Sequence, residues 1–263
     1  MQPTQSADEI EVEFERYGDG QPLLFLHGGM APTAYWEPVI PQFEGYGAVV
    51  PQRPGFGTCL DSPAETSAGE VLDREASYVR ALTDAVDGDP VLFGHSYGAL
   101  TAIEAATETP VEAVIAYEPA VLPDTYRTEA DLADRMASLV QNGERKAAVK
   151  RYVEQVLHPD GIDDLDAWLA EWPVWPDCVD LAEEVVRMNR SVEQYRLPDR
   201  LDVDAPTLVL SGTNGPDFLR RSARNVHDAL PHSRFVEFDG VSHSGPAETP
   251  ELVSAEVDTF LQK

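Results

Sequence analysis

A serine between two glycines, in Gly94-His95-Ser96-Tyr97-Gly98, is the stretch of this sequence best suited to carry out chemistry. The apolar run 91–93 before it predicts a buried strand, and the pattern from Ala99 to Thr107 predicts a helix. A strand, Gly-x-Ser-x-Gly and a helix in succession form a nucleophile elbow, in which the serine hydroxyl projects above the sheet. We therefore predict that Ser96 is a nucleophile; the alternative is a plain turn between strand and helix.

A serine hydroxyl needs a base within hydrogen-bond reach, and that base needs an orienting carboxylate. His243 fits the base, because it follows the last predicted strand (234–238) in a loop rich in glycine and serine. The other histidines fit less well. His27 stands beside glycines at a strand end, where it braces the loop, and the side chain of His95 is expected to point away from Ser96.

Two carboxylates compete for the orienting role. Glu118 directly follows the predicted strand 111–116, at the edge where the active sites of parallel sheets assemble. Pro119 biases Glu118 towards an extended conformation. Asp217 begins a helix after the penultimate strand, where its other role is an N-terminal cap. The sequence favours Glu118 and keeps Asp217 as the alternative. A carboxylate facing solvent is the competing interpretation of Glu118, and a third possibility is that no single acid orients the histidine.

Strands alternate with helices along most of the chain, which predicts an α/β fold with a mostly parallel sheet and helices on both faces. An edge strand is predicted over 10–16 and a short helix over 36–43. Between 124 and 200 the pattern is helical without a strand. We therefore expect a core formed by 1–123 and 201–263, with 124–200 inserted as a helical lid.

Four apolar residues are candidates for the substrate pocket. Trp168, Trp172 and Trp175 lie close together in the predicted lid, and Met30 follows the loop His27-Gly28-Gly29. Large aromatic side chains commonly wall a ligand site. The alternative for the tryptophans is that they pack the lid onto the body.

Three motifs together resemble the α/β-hydrolase superfamily over nearly the whole chain outside the lid. They are Phe25-Leu26-His27-Gly28-Gly29, the Ser96 pentapeptide and Asp239-Gly240-Val241-Ser242-His243. The resemblance implies attack by Ser96, proton transfer by His243, an acyl-enzyme hydrolysed by water, and no cofactor. It also implies an oxyanion hole formed by the backbone amides of Gly29 and Tyr97. The chain departs from the commonest pattern at the acid, because Gly215 stands at the position where that residue usually lies.

The resemblance makes a carboxylesterase or lactonase acting on a small-molecule ester the expected function. A proline iminopeptidase is an alternative, although Met30-Ala31 stands where those enzymes have Pro-Gly, and carbon–carbon bond hydrolases use the same triad. Dehalogenases and epoxide hydrolases need an aspartate nucleophile, which Ser96 is not. A ligand-binding protein without catalysis is the alternative from another class.

Composition adds a strong charge signal. The 263 residues include 47 Asp and Glu and 19 Lys and Arg, and only three of the basic residues are lysine. The net charge is −28. Such a surface resembles proteins of salt-loving organisms, in which salt screens the repulsion between carboxylates; an ordinary acidic protein is the alternative. The charge disfavours nucleic acid and anionic membranes as partners.

Further expectations concern the setting of the protein. The polar N-terminus and the lack of long apolar runs predict a cytoplasmic protein. Cys59 and Cys178 are expected to be unpaired thiols, with no spacing that suggests a metal site. A monomer or a homodimer is expected, since the sequence does not distinguish them.

Overall fold

A computed structural model describes residues 2–7, 10–53 and 68–262. At its centre is an eight-stranded sheet with the strand order β1-β2-β4-β3-β5-β6-β7-β8. The strands are β1 (Gln2–Ala7), β2 (Ile10–Tyr17), β3 (Gln21–Leu26), β4 (Tyr46–Gln52), β5 (Val91–His95), β6 (Ala113–Tyr117), β7 (Thr207–Gly212) and β8 (Ser233–Phe238). Strands β1 and β2 pair antiparallel with their neighbours, and all other neighbouring strands run parallel.

The α-helices are α1 (Ala68–Asp84), α2 (Tyr97–Ala106), α3 (Leu132–Gln141), α4 (Arg145–Tyr152), α5 (Leu165–Glu171), α6 (Ala182–Gln194), α7 (Asp217–Ala229), α8 (Gly245–Glu248) and α9 (Pro250–Leu261). A π-helical turn, Val153–Leu157, continues α4. The chain from Asp124 to Gln194 contains helices and connections but no strand.

The central strands are buried because they are apolar on both faces. Successive residues of β3 point to opposite sides of the sheet. Leu24 and Leu26 belong to the core under α1, α2 and the helices of the 124–194 segment, whereas Leu23 and Phe25 belong to a second core under α9. The predicted α/β fold with a mostly parallel sheet and helices on both faces is confirmed.

Two local predictions are wrong. Strand β2 is not an edge strand, because β1 pairs with its outer side. Its alternation of apolar and charged residues reflects one buried and one solvent-facing side, not the edge of the sheet. In place of the helix over 36–43 there are two short 3₁₀ helices, Thr33–Trp36 and Ile40–Gln42. Pro38 and Pro41 lack the amide hydrogens that a continuous α-helix would use.

Among the described residues, no helix is long and apolar enough to cross a membrane. Cys178 is a buried free thiol, and Cys59 lies outside the described residues.

Candidate active site

Ser96 lies between β5 and α2, in a backbone conformation that few L-residues adopt. Its φ is 56° and its ψ is −117°, which is strained for a residue with a Cβ atom. The glycines on either side leave room for this turn. A Cβ atom on Gly94 would lie 2.4 Å from Cα of Ala99, and one on Gly98 would lie 2.1 Å from the carbonyl oxygen of Leu26. The tight crossing of strand and helix therefore presents Ser96 at the carboxyl edge of the sheet.

His243 and Glu118 meet at the same edge. Nδ1 of His243 is 2.6 Å from Oε2 of Glu118. The other oxygen, Oε1, accepts hydrogen bonds from the Ser211 hydroxyl at 2.9 Å and from the Gly212 amide at 3.0 Å. Glu118 is fully buried, so each carboxylate oxygen is satisfied by protein donors, as a buried charge requires.

The backbone of Glu118 does not have the extended conformation that Pro119 predicted. Its φ of 43° places it in the left-handed region, and its amide donates to the carbonyl of Leu210 at 2.9 Å. Gly215 lies against its carboxylate. A Cβ atom at residue 215 would lie 2.3 Å from Oε1 of Glu118, so the missing side chain at Gly215 makes room for the acid from β6.

Asp217 lies apart from His243. Its Oδ2 accepts hydrogen bonds from the Tyr126 hydroxyl at 2.6 Å and from Nε of Arg221 at 2.7 Å. Its side chain is 55% exposed. Asp217 therefore holds Tyr126 at the surface, and the structure brings Glu118, not Asp217, to the imidazole.

The loop after β3 lies directly beside Ser96. A Cβ atom on Gly28 would lie 3.0 Å from Cβ of Ser96, and one on Gly29 would lie 2.4 Å from Cε of Met188. Among the described residues, no backbone carbonyl accepts the amide hydrogens of Gly29 or Tyr97. Neither candidate oxyanion donor is therefore engaged by a backbone carbonyl of the described residues.

A buried arginine that the sequence analysis did not single out supports this loop. Nη1 of Arg53 donates to the carbonyl oxygens of His27 at 2.9 Å and Gly28 at 3.2 Å. Its Nε donates to Oε2 of Glu75 at 3.0 Å, and the guanidinium lies 4.9 Å from the ring centre of Tyr97. The available signal was its position just after β4, because functional residues gather where parallel strands end.

The two histidines nearest this site other than His243 are buried. Burial and the Arg53 charge lower the pKa of His27 to about 3, and its Nδ1 lies 3.0 Å from the Gly28 carbonyl, so Nδ1 carries the hydrogen. His95 packs 4.5 Å from the ring of His243, and its Nε2 donates to the His243 carbonyl at 2.9 Å. Burial and the neighbouring His243 hold the pKa of His95 well below its usual range. Both rings are therefore neutral.

A cavity of about 570 Å³ opens above Ser96. Its walls come from the 120–130 connection, α3, the π-helical turn, α6 and the start of α7. The apolar lining residues are Ala120, Leu122, Ala130, Leu132, Val156, Pro159, Met188, Val192, Phe218 and Leu219. Polar lining residues include Tyr126, Tyr152, Gln155, Asn189, Glu154 and Glu193. No lysine, arginine or histidine is found among its described lining residues.

The residues expected to form the pocket lie elsewhere. Met30 is buried in the core with a φ of 57°. Trp168 packs 5.2 Å from Trp172 and 4.6 Å from the ring of His158, and Lys146 lies over Trp175. None of the four is among the described residues that line the cavity. The expectation that they form the pocket is therefore corrected. The three tryptophans pack against the core between the helices, and sequence periodicity alone does not give that direction.

Within the described part of the chain, no three histidine, cysteine, aspartate or glutamate side chains come close enough to hold a metal ion.

Comparisons with known proteins agree with this fold. Residues 23–256 match the sequence model of the Alpha/beta hydrolase family. BpoC of Mycobacterium tuberculosis, described by its name as a non-heme bromoperoxidase, is 25% identical over 268 residues, which cover 96% of this chain and 98% of BpoC. An Acinetobacter baylyi (E)-2-((N-methylformamido)methylene)succinate hydrolase is 22% identical over 98% of this chain and 97% of its own length.

Solved structures show the same architecture. The crystal structure of an alpha/beta hydrolase from Sphaerobacter thermophilus superposes with a TM-score of 0.79 at 23% identity, covering 96% of this chain and 98% of that chain. Fold, family match and relatives together place the protein among the hydrolase enzymes. The chain belongs to the Alpha/beta hydrolase family.

Proposed function

We propose that this protein is a serine hydrolase that cleaves carboxylic ester-type bonds, an esterase or lactonase, through an acyl-enzyme. One observation carries the proposal: Ser96, in a strained elbow, lines a cavity, and the adjacent His95 contacts His243, whose Nδ1 lies 2.6 Å from Oε2 of Glu118. A strained backbone that its surroundings hold in place is typical of functional sites.

Each residue of the proposed triad has a distinct part. His243 takes the proton of the Ser96 hydroxyl as that oxygen attacks the acyl carbon, and then gives the proton to the leaving alcohol. The Nδ1 hydrogen of His243 donates to Glu118, which fixes the tautomer and stabilises the imidazolium. A water molecule then repeats the attack on the acyl-enzyme, with His243 again acting as base.

The negative oxygen of the tetrahedral intermediate is assigned to the amides of Gly29 and Tyr97. Tyr97 is the first residue of α2, so its amide has no partner within the helix, and the helix dipole favours negative charge there. Preorganised donors of this kind are usually the largest contribution to acyl transfer catalysis.

The cavity favours a neutral acyl group of small to medium size. Its volume of about 570 Å³ lies in the range of pockets that enclose small ligands. Its carboxylates, Glu154 and Glu193, and the lack of a described cationic lining residue disfavour an anionic substrate. This contrasts with the A. baylyi relative, whose name describes a succinate derivative as its substrate.

We also propose that 124–200 acts as a lid and determines which acyl groups enter. The support is its strand-free helical structure and the number of cavity residues that it supplies, among them Tyr152, Val156 and Met188. Origin in a salt-loving organism is proposed from the net charge of −28.

The test is a panel of p-nitrophenyl esters of increasing acyl length, together with a lactone and a prolyl aryl amide. We expect ester turnover and single labelling by a fluorophosphonate. Ser96→Ala should lower kcat by at least about 10⁴-fold and abolish labelling. Ser138→Ala, an exposed serine on α3, is the matched control and should behave like wild type. Preferential turnover of the prolyl amide would replace the esterase assignment, and no turnover of any acyl substrate would favour a binding protein.

A further inference from the structure

Two donors hold the carbonyl oxygen of Gly28. Nδ1 of His27 lies 3.0 Å from it and Nη1 of Arg53 lies 3.2 Å from it. This oxygen belongs to the same peptide unit as the amide hydrogen of Gly29. Among the described residues the only cis peptide is Trp175–Pro176, so the Gly28–Gly29 peptide is trans, and its C=O and N–H point in opposite directions.

Holding the oxygen therefore fixes the direction of the hydrogen. With the Gly28 carbonyl turned towards Arg53, the Gly29 amide points away from the arginine. A hydrogen bond from a charged donor is also stronger than a neutral one. It polarises the peptide and makes its N–H a better donor, since linked hydrogen bonds strengthen one another.

The arginine is itself held in one position. Arg53 is 2% exposed and paired with Glu75, which is 1% exposed. Its guanidinium also lies 4.9 Å from the ring centre of Tyr97, the residue that supplies the second proposed oxyanion donor. One buried cation thus contacts the peptide that carries one proposed donor and the side chain of the residue that carries the other.

We propose that Arg53 is a positioning residue for the oxyanion hole. Its guanidinium, together with His27, orients and polarises the Gly28–Gly29 peptide so that the Gly29 amide binds the developing oxyanion. This inference rests on the proposed serine hydrolysis and adds a residue that lies behind the donors and does not touch the substrate.

The variants are chosen to separate this role from folding. Arg53→Met removes the donors, and Arg53→Met/Glu75→Met removes both charges of the buried pair together. Arg74→Met is the control, because Arg74 bonds Glu184 and lies near Glu75 in the same charge network. His27→Ala removes the second donor, and His27→Asn keeps an N–H in nearly the same place.

Each variant is measured for kcat and KM on one p-nitrophenyl ester and for inhibition by two ketones. An aryl trifluoromethyl ketone forms an anionic adduct with the serine, whereas the matching methyl ketone only occupies the cavity. We expect Arg53→Met or the double variant to lower kcat by about 10- to 100-fold, since loss of a whole oxyanion donor costs about 10²–10³. Affinity for the trifluoromethyl ketone should fall by the same factor. KM and affinity for the methyl ketone should change little.

His27→Ala should shift the ratio of the two affinities in the same direction, and His27→Asn and Arg74→Met should leave it at the wild-type value. Equal losses of affinity for both ketones, or an unchanged ratio in both Arg53 variants, would overturn the inference and leave Arg53 a structural residue.

Fluorophosphonate labelling distinguishes failure of this inference from failure of the proposed function. A wild-type protein that is labelled at Ser96 with an unchanged ketone ratio refutes only the role of Arg53, whereas an unlabelled wild type refutes the proposed function.

Discussion

Replacing Glu118 by glutamine tests the proposed triad most directly. The carboxylate is 0% exposed and uses both oxygens: Oε2 faces Nδ1 of His243, and Oε1 accepts from Ser211 and Gly212. In Glu118→Gln the Ser211 and Gly212 donors select the amide oxygen at the Oε1 position. The NH₂ group must then occupy the Oε2 position and face His243.

An amide NH₂ can donate to Nδ1 only when Nδ1 carries no proton. Neutral His243 then has its hydrogen on Nε2, the atom that must accept the proton of Ser96. The same amide-for-acid change in a serine protease lowers kcat about 10⁴-fold by selecting this wrong tautomer, so we expect a loss of about 10³–10⁴. Folding should persist, because glutamine has the shape of glutamate and both Oε1 donors remain satisfied.

The assay is kcat on a p-nitrophenyl ester, with thermal unfolding followed by circular dichroism. Asp217→Asn is the matched control. Asp217 is exposed and bonds Tyr126 and Arg221, so we expect a change in kcat within about twofold. If Asp217→Asn abolishes turnover while Glu118→Gln stays near wild type, the tautomer argument is refuted.

A relocated acid extends this test. A Cβ atom at residue 215 would lie 2.3 Å from Oε1 of Glu118, so the two positions reach the same space. In a Glu118→Ala background, Gly215→Asp should recover activity by about tenfold or more, because it returns a carboxylate to His243. Gly215→Asn in the same background supplies the shape without the charge and should recover nothing.

Three further predictions concern the cavity, pH and salt. Val192→Trp should lower kcat/KM for an octanoyl ester by about tenfold or more relative to kcat/KM for an acetyl ester. Trp168→Ala should lower Tm without changing that ratio. The measurement is kcat/KM of both variants on the ester series. The pKa of His27 falls from 6.5 to about 3 on folding, so between these values the unfolded chain binds more protons. The unfolding free energy of wild type relative to His27→Asn should therefore fall by about 1.4 kcal/mol per pH unit as pH decreases through this window, measured by urea denaturation; a constant difference would contradict it. Because of the net charge of −28, Tm should rise steadily from dilute buffer to about 1 M KCl, where the Debye length is about 3 Å; a Tm that does not change would remove the halophile hypothesis.

The buried strands were predictable because their signals are local. An apolar run such as 91–93 must be covered on both faces, and Gly-x-Ser-x-Gly directly after it restricts the turn that follows. The failed helix over 36–43 has a cause visible in the sequence, since Pro38 and Pro41 interrupt its hydrogen bonding. The outer partner of β2 was not predictable, because alternation reports which face is buried and not which strand lies alongside.

The residues that line the cavity could not be predicted from composition. Three tryptophans in one helical segment suggested a substrate wall, yet Trp168 packs against Trp172 and His158. The cavity walls include Val156, from a π-helical turn that carries no evident sequence signal. Which side of a helix faces a cavity depends on how neighbouring helices pack, and that information is not in the periodicity of one segment.

The sequence by itself determined the elbow around Ser96, the loop that carries His243, and the parallel sheet that brings strand ends to one edge. It favoured Glu118 over Asp217 as the orienting acid but did not give the contacts of either carboxylate. The tertiary structure shows which of the two carboxylates contacts the imidazole. It places a residue 125 positions from His243 at hydrogen-bond distance, uses the space left by Gly215, and sets Arg53 behind the loop after β3. Such contacts depend on which strands are neighbours and on the room between them, and those are properties of the packed sheet, not of any one segment.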